Sequence, residues 1–399
     1  MSVTAPAGFE AAGLACGLKG SGAADLALVA VAPGPGAVDG SRRAAVPAAA
    51  TFTSNRAAAA PVQVSRAHLG RSQGRAAAVI LNSGNANAAT GASGMAHAEA
   101  MCAQAGEGLG VRPDEVLVCS TGLIGIPMPY EQTIGPGIPE LVAALAGDRD
   151  AAEAAARAIM TTDTRPRQVV VDGRGYVVGG MAKGAAMLAP DMATMLAVLT
   201  TDARATPEVL AEALRAAVRA SFNQLSVDGC CSTNDTVIVL ASGLAGAPSP
   251  AQLADSLTEA CASLAAQMAS DAEGQTVVAH ITVTGAASDA EAMTAARRVA
   301  ESQLVQCSLH GRDPYWGRVV SELGSAGVDF ELDRVSVAYG ATVVCRGGAP
   351  AAHDPSAVKA HLAGEQVEIT ANLGLGTGRA TIVTTDLSPA YIAENMRTS

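Results

Sequence analysis

The run from Gly179 to Val198 sets the strictest condition on how this chain folds. It is apolar almost throughout, yet it carries Lys183, Pro190 and Thr194 and two small-residue turns. Two readings fit it. In one, a loop leads into a core strand over Met195–Thr200, and Thr194 is an ordinary strand residue. In the other, Thr194 is a nucleophile exposed by cleavage of the Ala193–Thr194 bond. A Thr hydroxyl is a poor nucleophile until a base sits beside it. A freed α-amino group, with a pKa near neutrality, is such a base.

The rest of the chain can surround such a run with a large core, because 49% of its 399 residues are apolar. Only 3% are aromatic, so that core is built from Ala, Val, Leu and Met. The net charge of −11, with no basic run, excludes nucleic acid and anionic membranes as partners. Lysine occurs three times, at 19, 183 and 359, against 23 arginines, which makes Lys183 stand out. Eight cysteines form no CxxC pair and mostly lie in apolar runs, which points to reduced, buried thiols rather than a disulfide framework or zinc site. No signal peptide and no membrane span of about 18 apolar residues is evident, and a cytoplasmic protein is expected.

Along the chain, strands are expected at Leu26–Ala32, Thr51–Ser54, Ala76–Leu81 and Val116–Cys119. Residues 34–48 read as a surface loop. Two strands end in polar small-residue stretches, Asn82-Ser83-Gly84-Asn85-Ala86-Asn87 and Ser120-Thr121-Gly122. Such strand-end loops often carry function, although turn chemistry alone explains Asn and Gly. Helices are expected at 94–108, 151–160, 207–221 (Thr206 as N-cap) and 251–268, with a hairpin at Asp172-Gly173-Arg174-Gly175. Asp228–Thr236 is a dense polar turn before the strand Val237–Leu240. From Ile281 onward a new series of strands and helices begins, which places a domain boundary near residue 280. The Gly374–Gly378 run has no helix after it, so a dinucleotide loop is rejected.

Eight of these stretches, in order, resemble one family, the ornithine acetyltransferases (glutamate N-acetyltransferases) of arginine biosynthesis. They are Asn82–Asn87, Ser120–Gly122, Met160–Thr164, Lys183-Gly184, Pro190–Leu196, Ser232–Thr236, Asp271–Gly274 and Asp313–Arg318. The resemblance implies an α/β (α+β) fold: an αββα-type sandwich with N-terminal-nucleophile chemistry over residues 1–280, plus a smaller C-terminal α/β domain over 281–399. It implies self-cleavage between Ala193 and Thr194 into pieces 1–193 and 194–399, which stay together as an α2β2 heterotetramer. It assigns Thr194 as nucleophile and Thr121 and Gly122 to the oxyanion hole, an assignment the chemistry of acyl transfer supports. Thr161, Lys183, Thr194, Glu273, Asn395 and Ser399 match the substrate-contacting positions. Lys183 and Glu273 would supply the cation and the acceptor that a dipolar N-acyl amino acid needs.

The implied activity is transfer of acetyl from N2-acetyl-L-ornithine to L-glutamate through acetyl-Thr194, with no cofactor or metal. Some members also use acetyl-CoA, which adds a second activity. This chain departs from the usual pattern at Ala186, Tyr315, Gln306 and Val277, the last two standing where the family usually carries Lys. Those changes raise the alternative of a specialised paralogue with another acceptor. An amidase or aminopeptidase using the same Thr194 with water is a second alternative, and a processed but idle amino-acid-binding protein a third.

Overall fold

In the computed structural model, residues 2–34, 43–187 and 195–396 are described. The candidate cleavage pair Ala193 and Thr194, and Ser399, lie outside the described residues.

The strands are β1 (Phe9–Leu14), β2 (Leu26–Val31), β3 (Val46–Phe52), β4 (Arg75–Ala76), β5 (Ala78–Asn85), β6 (Val116–Leu123), β7 (Arg167–Asp172), β8 (Val177–Lys183), β9 (Leu196–Thr201) and β10 (Thr236–Ala241). They continue with β11 (Val278–Ala286), β12 (Ser336–Tyr339), β13 (Thr342–Arg346), β14 (Ala349–Pro350), β15 (Gln366–Asn372) and β16 (Gly378–Thr385). The helices are α1 (Ala60–Arg71), α2 (Gly91–Leu109), α3 (Ile134–Ala143), α4 (Arg149–Ala158), α5 (Pro207–Arg219) and α6 (Pro250–Ala269). After them come α7 (Asp289–Ala300), α8 (Gln303–His310), α9 (Trp316–Gly324), α10 (Pro355–Leu362) and α11 (Pro389–Asn395).

The strands form three sheets, in the orders β1-β2-β5-β6, β4-β3-β10-β9-β8-β7 and β14-β13-β12-β15-β11-β16. Continuous apolar runs become strands buried on both faces, with successive side chains sent to opposite cores. In β2, Ala27, Val29 and Val31 enter one cluster while Leu26, Leu28 and Ala30 enter another. In β9 and β10, Leu196, Val198, Ile238 and Leu240 join the β2 residues Ala27 and Val29, whereas Ala197, Leu199, Val237 and Val239 face α5 and α6. The inner core therefore lies between the first two sheets. Helices α1, α2 and α3 cover the outer face of the first, and α5 and α6 the outer face of the second. This is the αββα layering expected. The third sheet packs against α7 to α10 in a core of its own.

Small residues make close layers possible where aromatics are scarce. A Cβ on Gly13 of β1 would lie 2.2 Å from the Ala154 carbonyl, so α4 rests directly on that strand. Thr206 caps α5 by accepting the Val209 N–H, as its position implied.

Several boundaries differ from expectation. Strand β3 begins at Val46, inside the stretch read as surface loop, because antiparallel pairing with β4 at Val46 and Pro47 and with β10 from Ala48 binds its backbone. Strands β5 and β6 run on through Asn85 and Leu123, so the two polar stretches read as loops are strand ends. Helices α1, α3, α8, α9 and α11 were not anticipated. In α1, α3 and α11, Gly, Ala and Pro conceal the helical period (α3 has Pro139 inside it), while α8 and α9 are only 8 and 9 residues long. None of the eight cysteines is in a disulfide; Cys102, Cys119, Cys261 and Cys345 are buried, but Cys230 and Cys307 are exposed.

Truncating Leu199, fully buried in β9, should cost about 3 kcal/mol of stability through lost transfer energy and a residual cavity. Urea unfolding of Leu199→Ala would show a lower midpoint with an unchanged slope; an unchanged midpoint would contradict the core placement.

Candidate active site

The strand ends converge at one margin of the inner core. Strands β5 and β6 are parallel, with Ser83 opposite Thr121 and Gly84 opposite Gly122. Strand β8 of the second sheet ends at Lys183, and its neighbour β9 starts at Leu196. The polar groups here are buried, so each must find a partner within the protein. Ser120 donates to Asn82 Oδ1 at 2.6 Å, and Asn82 Nδ2 donates to the Asn85 carbonyl at 2.8 Å. Asn234 joins the two sheets by donating to the carbonyls of Ser120 at 2.9 Å and Ala86 at 2.6 Å. Gly122 has φ +133°, and a Cβ there would lie 2.4 Å from the Gly84 carbonyl carbon. Only glycine fits that crossing.

Lys183 is the centre of the cluster. Its side chain is buried, and its ammonium donates to Thr161 Oγ1 at 2.7 Å and Thr121 Oγ1 at 3.2 Å. Asp163 Oδ2 lies 4.0 Å away. Burial, with the nearby Arg167 charge, holds the lysine below its usual pKa, while Asp163, Glu273 and Asp235 oppose that shift.

Asp163 was passed over in the sequence and proves to be the organiser. It pairs with the fully buried Arg167 and accepts from the N–H groups of Gly184 and Thr161, each at 2.8 Å. Burial works to raise its pKa, but Lys183, Arg167 and these N–H groups prevail and bring it down to about 2. Arg167 also donates to Asp271 Oδ2 at 2.7 Å, and the Thr164 N–H reaches the same oxygen at 3.1 Å. Two motifs far apart in sequence, Thr161–Thr164 and Asp271–Gly274, are thereby tied through one guanidinium.

Glu273 and Asn395 meet each other: Asn395 Nδ2 donates to Glu273 Oε2 at 2.8 Å. The Glu273 N–H donates to the Ala185 carbonyl at 2.9 Å, two residues past Lys183. Helix α11 is held there by Ser388 Oγ on the Gly274 carbonyl at 2.5 Å. The tail is thus docked rather than frayed as far as Met396.

Asp235, at the start of β10, accepts from the Met195 N–H at 2.8 Å, and Thr236 N–H bonds the Met195 carbonyl at 3.1 Å. Met195 is therefore held at both its N–H and its carbonyl. Burial pushes the Asp235 carboxyl well above the usual range, against the pull of Met195 N–H and Lys183. Its Oδ2 is buried without a hydrogen-bond partner among the described residues. Sequence reasoning saw the motif Ser232–Thr236 but gave Asp235 no role. Gln306 and Val277 are interior: Gln306 Nε2 donates to the Val227 carbonyl at 2.8 Å and Thr384 Oγ1 at 3.2 Å, and Val277 is fully buried. Tyr315 is exposed, with the Arg318 guanidinium 5.7 Å from its ring centre. Among the described residues there is no His/Cys/Asp/Glu group suited to a metal and no helix long and apolar enough to cross a membrane.

The sequence model of the ArgJ family matches residues 10–398. The chain belongs to the ArgJ family. An ArgJ relative from Mycolicibacterium paratuberculosis, named arginine biosynthesis bifunctional protein, is 47% identical over 98% of this chain and 95% of its own. The protein of the same name from Thermobifida fusca is 45% identical over 99% of both chains. A solved structure of ornithine acetyltransferase from Mycobacterium tuberculosis, complexed with ornithine, is 45% identical over 47% of this chain and 94% of that chain, with a TM-score of 0.43. At this level of identity the ArgJ assignment rests on nearly the full length of the sequence rather than on isolated motifs.

Two predictions concern buried carboxylates. Asp163→Asn leaves Arg167 and Lys183 short of an anion and should lower the unfolding free energy by about 3 kcal/mol. The wild-type folded pKa lies below the unfolded value of about 3.9. That stabilisation is therefore complete above about pH 4 and lost as pH falls through about 2. Melting curves of the two proteins should converge across this window; a constant gap would refute it. Asp235 has the opposite sign. Its raised folded pKa favours folding below the unfolded value and loses that contribution as pH rises through the folded one. Asp235→Asn should therefore gain stability relative to wild type as pH rises above about 4, read as a growing difference in Tm.

Proposed function

We propose that this ArgJ-family enzyme moves an acetyl group from N2-acetyl-L-ornithine to L-glutamate, with Thr194 carrying the acetyl between the two. Acetyl transfer in arginine biosynthesis is the activity of the family. The observation that carries the residue assignments is the Lys183 ammonium held between the hydroxyls of Thr121 and Thr161.

Because Thr121 Oγ1 accepts from Lys183, its own proton remains free to donate elsewhere. Beside it the Gly122 backbone follows a conformation that places no side chain in the way. Two donors of this kind suit the oxyanion of a tetrahedral intermediate. In the proposed reaction the Thr194 hydroxyl attacks the acetyl carbonyl and its proton passes to the α-amino group. The intermediate collapses, the C–N bond to ornithine breaks, and the departing amine takes that proton. The glutamate amine then attacks acetyl-Thr194 and reverses the sequence. Lys183 and Thr161 would hold the amino acid's carboxylate, and Glu273 with Asn395 its cationic end; Ser399 would complete the tail's contribution. Asp235 holds the amide of Met195, the next residue in the chain after the proposed nucleophile.

The α-amine exists only after the Ala193–Thr194 bond is cut. We infer self-cleavage into pieces 1–193 and 194–399. Strands β8 and β9, which flank the cut, are paired from Val178–Thr201 to Lys183–Leu196, so the pieces would stay together. Assembly of the pieces as α2β2, use of acetyl-CoA as a second donor and a cytoplasmic location are further parts of the proposal.

Purified protein should run as two bands on a denaturing gel, and Thr194→Ala as one band near 39.6 kDa without activity. An active enzyme that remains a single intact chain would overturn the nucleophile assignment. Thr121→Ala should reduce kcat by about 100-fold, the usual worth of one oxyanion donor, while cleavage and folding persist. Mass spectrometry of the 194–399 piece after exposure to N-acetylornithine should show one added acetyl group. Replacing glutamate by water as sole acceptor should leave that adduct long-lived; rapid loss would favour a hydrolase.

A further inference from the structure

Two of the three lysines in the chain approach the same residue, and only one of them has been given a role. Lys19 lies in the connection between β1 and β2, and that connection is built rather than slack. The buried Asp25 carboxylate accepts from the backbone N–H groups of Cys16 at 2.7 Å, Leu18 at 2.7 Å and Lys19 at 2.9 Å. The aliphatic stem of Lys19 then crosses Gly84: a Cβ on that glycine would lie 3.2 Å from Lys19 Cγ. Gly84 is the strand partner of Gly122, so the stem passes over the β5–β6 end that bears Thr121 and Gly122. The ammonium donates to the carbonyl of Ala24 at 2.8 Å and to that of Met160 at 2.7 Å.

The Met160 carbonyl belongs to the peptide bond of Thr161, whose hydroxyl takes the Lys183 ammonium at 2.7 Å. Lys19 and Lys183 thus flank Thr161 from its backbone and side-chain ends. Burial depresses the Lys19 pKa, Lys183 adds to that effect, and Asp25 and Asp163 oppose it. An ammonium has three N–H donors, and protein carbonyls occupy two of them here. Asp25 and Asp163 offset part of the charge of the two lysines, and a ligand anion at the remaining Lys19 donor would add to that neutralisation. N-Acetylornithine brings one carboxylate to the site, whereas an acidic acceptor brings two.

We propose that Lys19 is a specificity residue that binds one carboxylate of a dicarboxylic amino-acid acceptor, Lys183 taking the other. This inference rests on the acetyl-transfer reading and adds the basis of acceptor choice. It also gives a reason for lysine at these two positions in an arginine-rich chain: a compact ammonium suits a place between two carbonyls and a ligand better than a planar guanidinium.

The test uses the full-length, self-processed enzyme with Lys19→Met and Lys19→Gln. The Gln variant keeps N–H donors for the Met160 and Ala24 carbonyls but removes the charge, so it remains informative if the Met variant does not fold. Three quantities are measured: acetyl-enzyme formation from N-acetylornithine in a single turnover, KM for glutamate, and KM for glutamine, whose side chain is neutral. Glutamate KM should rise about 10- to 100-fold, the size of one charge-assisted hydrogen bond. That rise should exceed the change in acetyl-enzyme formation by at least about 10-fold, and the preference for glutamate over glutamine should fall with it. Equal losses in both half-reactions, or an unchanged preference, would reduce Lys19 to a prop for the Met160–Thr161 peptide and overturn the proposal. Calorimetric binding of glutamate separates the two levels of inference. Wild-type protein that binds glutamate but never acquires acetyl would count against acetyl transfer alone; the same glutamate Kd in wild type and Lys19→Gln would count against this inference alone.

Discussion

The buried array of Lys183, Asp163, Arg167 and Asp271 is the constraint on which the site depends. Four ionisable groups are removed from water at the margin of a core made mainly of Ala, Val and Leu. Isolated charges there would be prohibitive, and only close pairing with added backbone N–H donors makes the arrangement stable. The chain contributes these groups from β7, β8, the turn after α4 and the turn after α6. None of those segments can shift without uncovering a charge. The array therefore locks the ends of the second sheet in register with Thr161 and, through Lys183, with Thr121 of the first sheet.

Neutral polar groups extend the same logic. Ser120 and Asn82 join two strand ends within the first sheet, and Asn234, just before β10, ties them to the second. Asp235 fixes the opening of β9 through the Met195 amide. Preorganisation of this kind is what acyl transfer requires, since donors that need not reorient stabilise charge at no further cost. The apolar sandwich supplies rigidity, and the polar margin uses it.

The likeness between sequence and structure is uneven, and the unevenness has a cause. Leu26–Val31, Val116–Cys119 and Val237–Leu240 were legible as strands because burial on both faces demands unbroken apolar runs. Thr206-Pro207-Glu208 was legible as a helix start because capping is a local interaction. Helices α1 and α3 were not, since Ala, Gly and Pro carry little amphipathic signal and their helical state follows from packing on the first sheet. Asn82–Asn85 and Ser120–Leu123 resembled turns, yet they are strand because they pair with each other in the first sheet, at a separation in sequence that no local rule can see.

The sequence alone determined the buried apolar strands, the family with the layering it implies, and the positions of Thr121, Gly122, Thr161, Lys183 and Glu273 as a set worth attention. Motif order and apolar period are written in one dimension, so they survive without coordinates. Only the tertiary structure decided that Asp163 and Arg167 organise that set, that Asn395 reaches Glu273, that Gln306 and Val277 are interior, and that Lys19 arrives beside Thr161. Those facts depend on electrostatic and hydrogen-bond partners separated by as many as 141 positions in the chain. Such partners are chosen by the closure of two sheets on each other, which fixes which polar groups share a dry space and must satisfy one another.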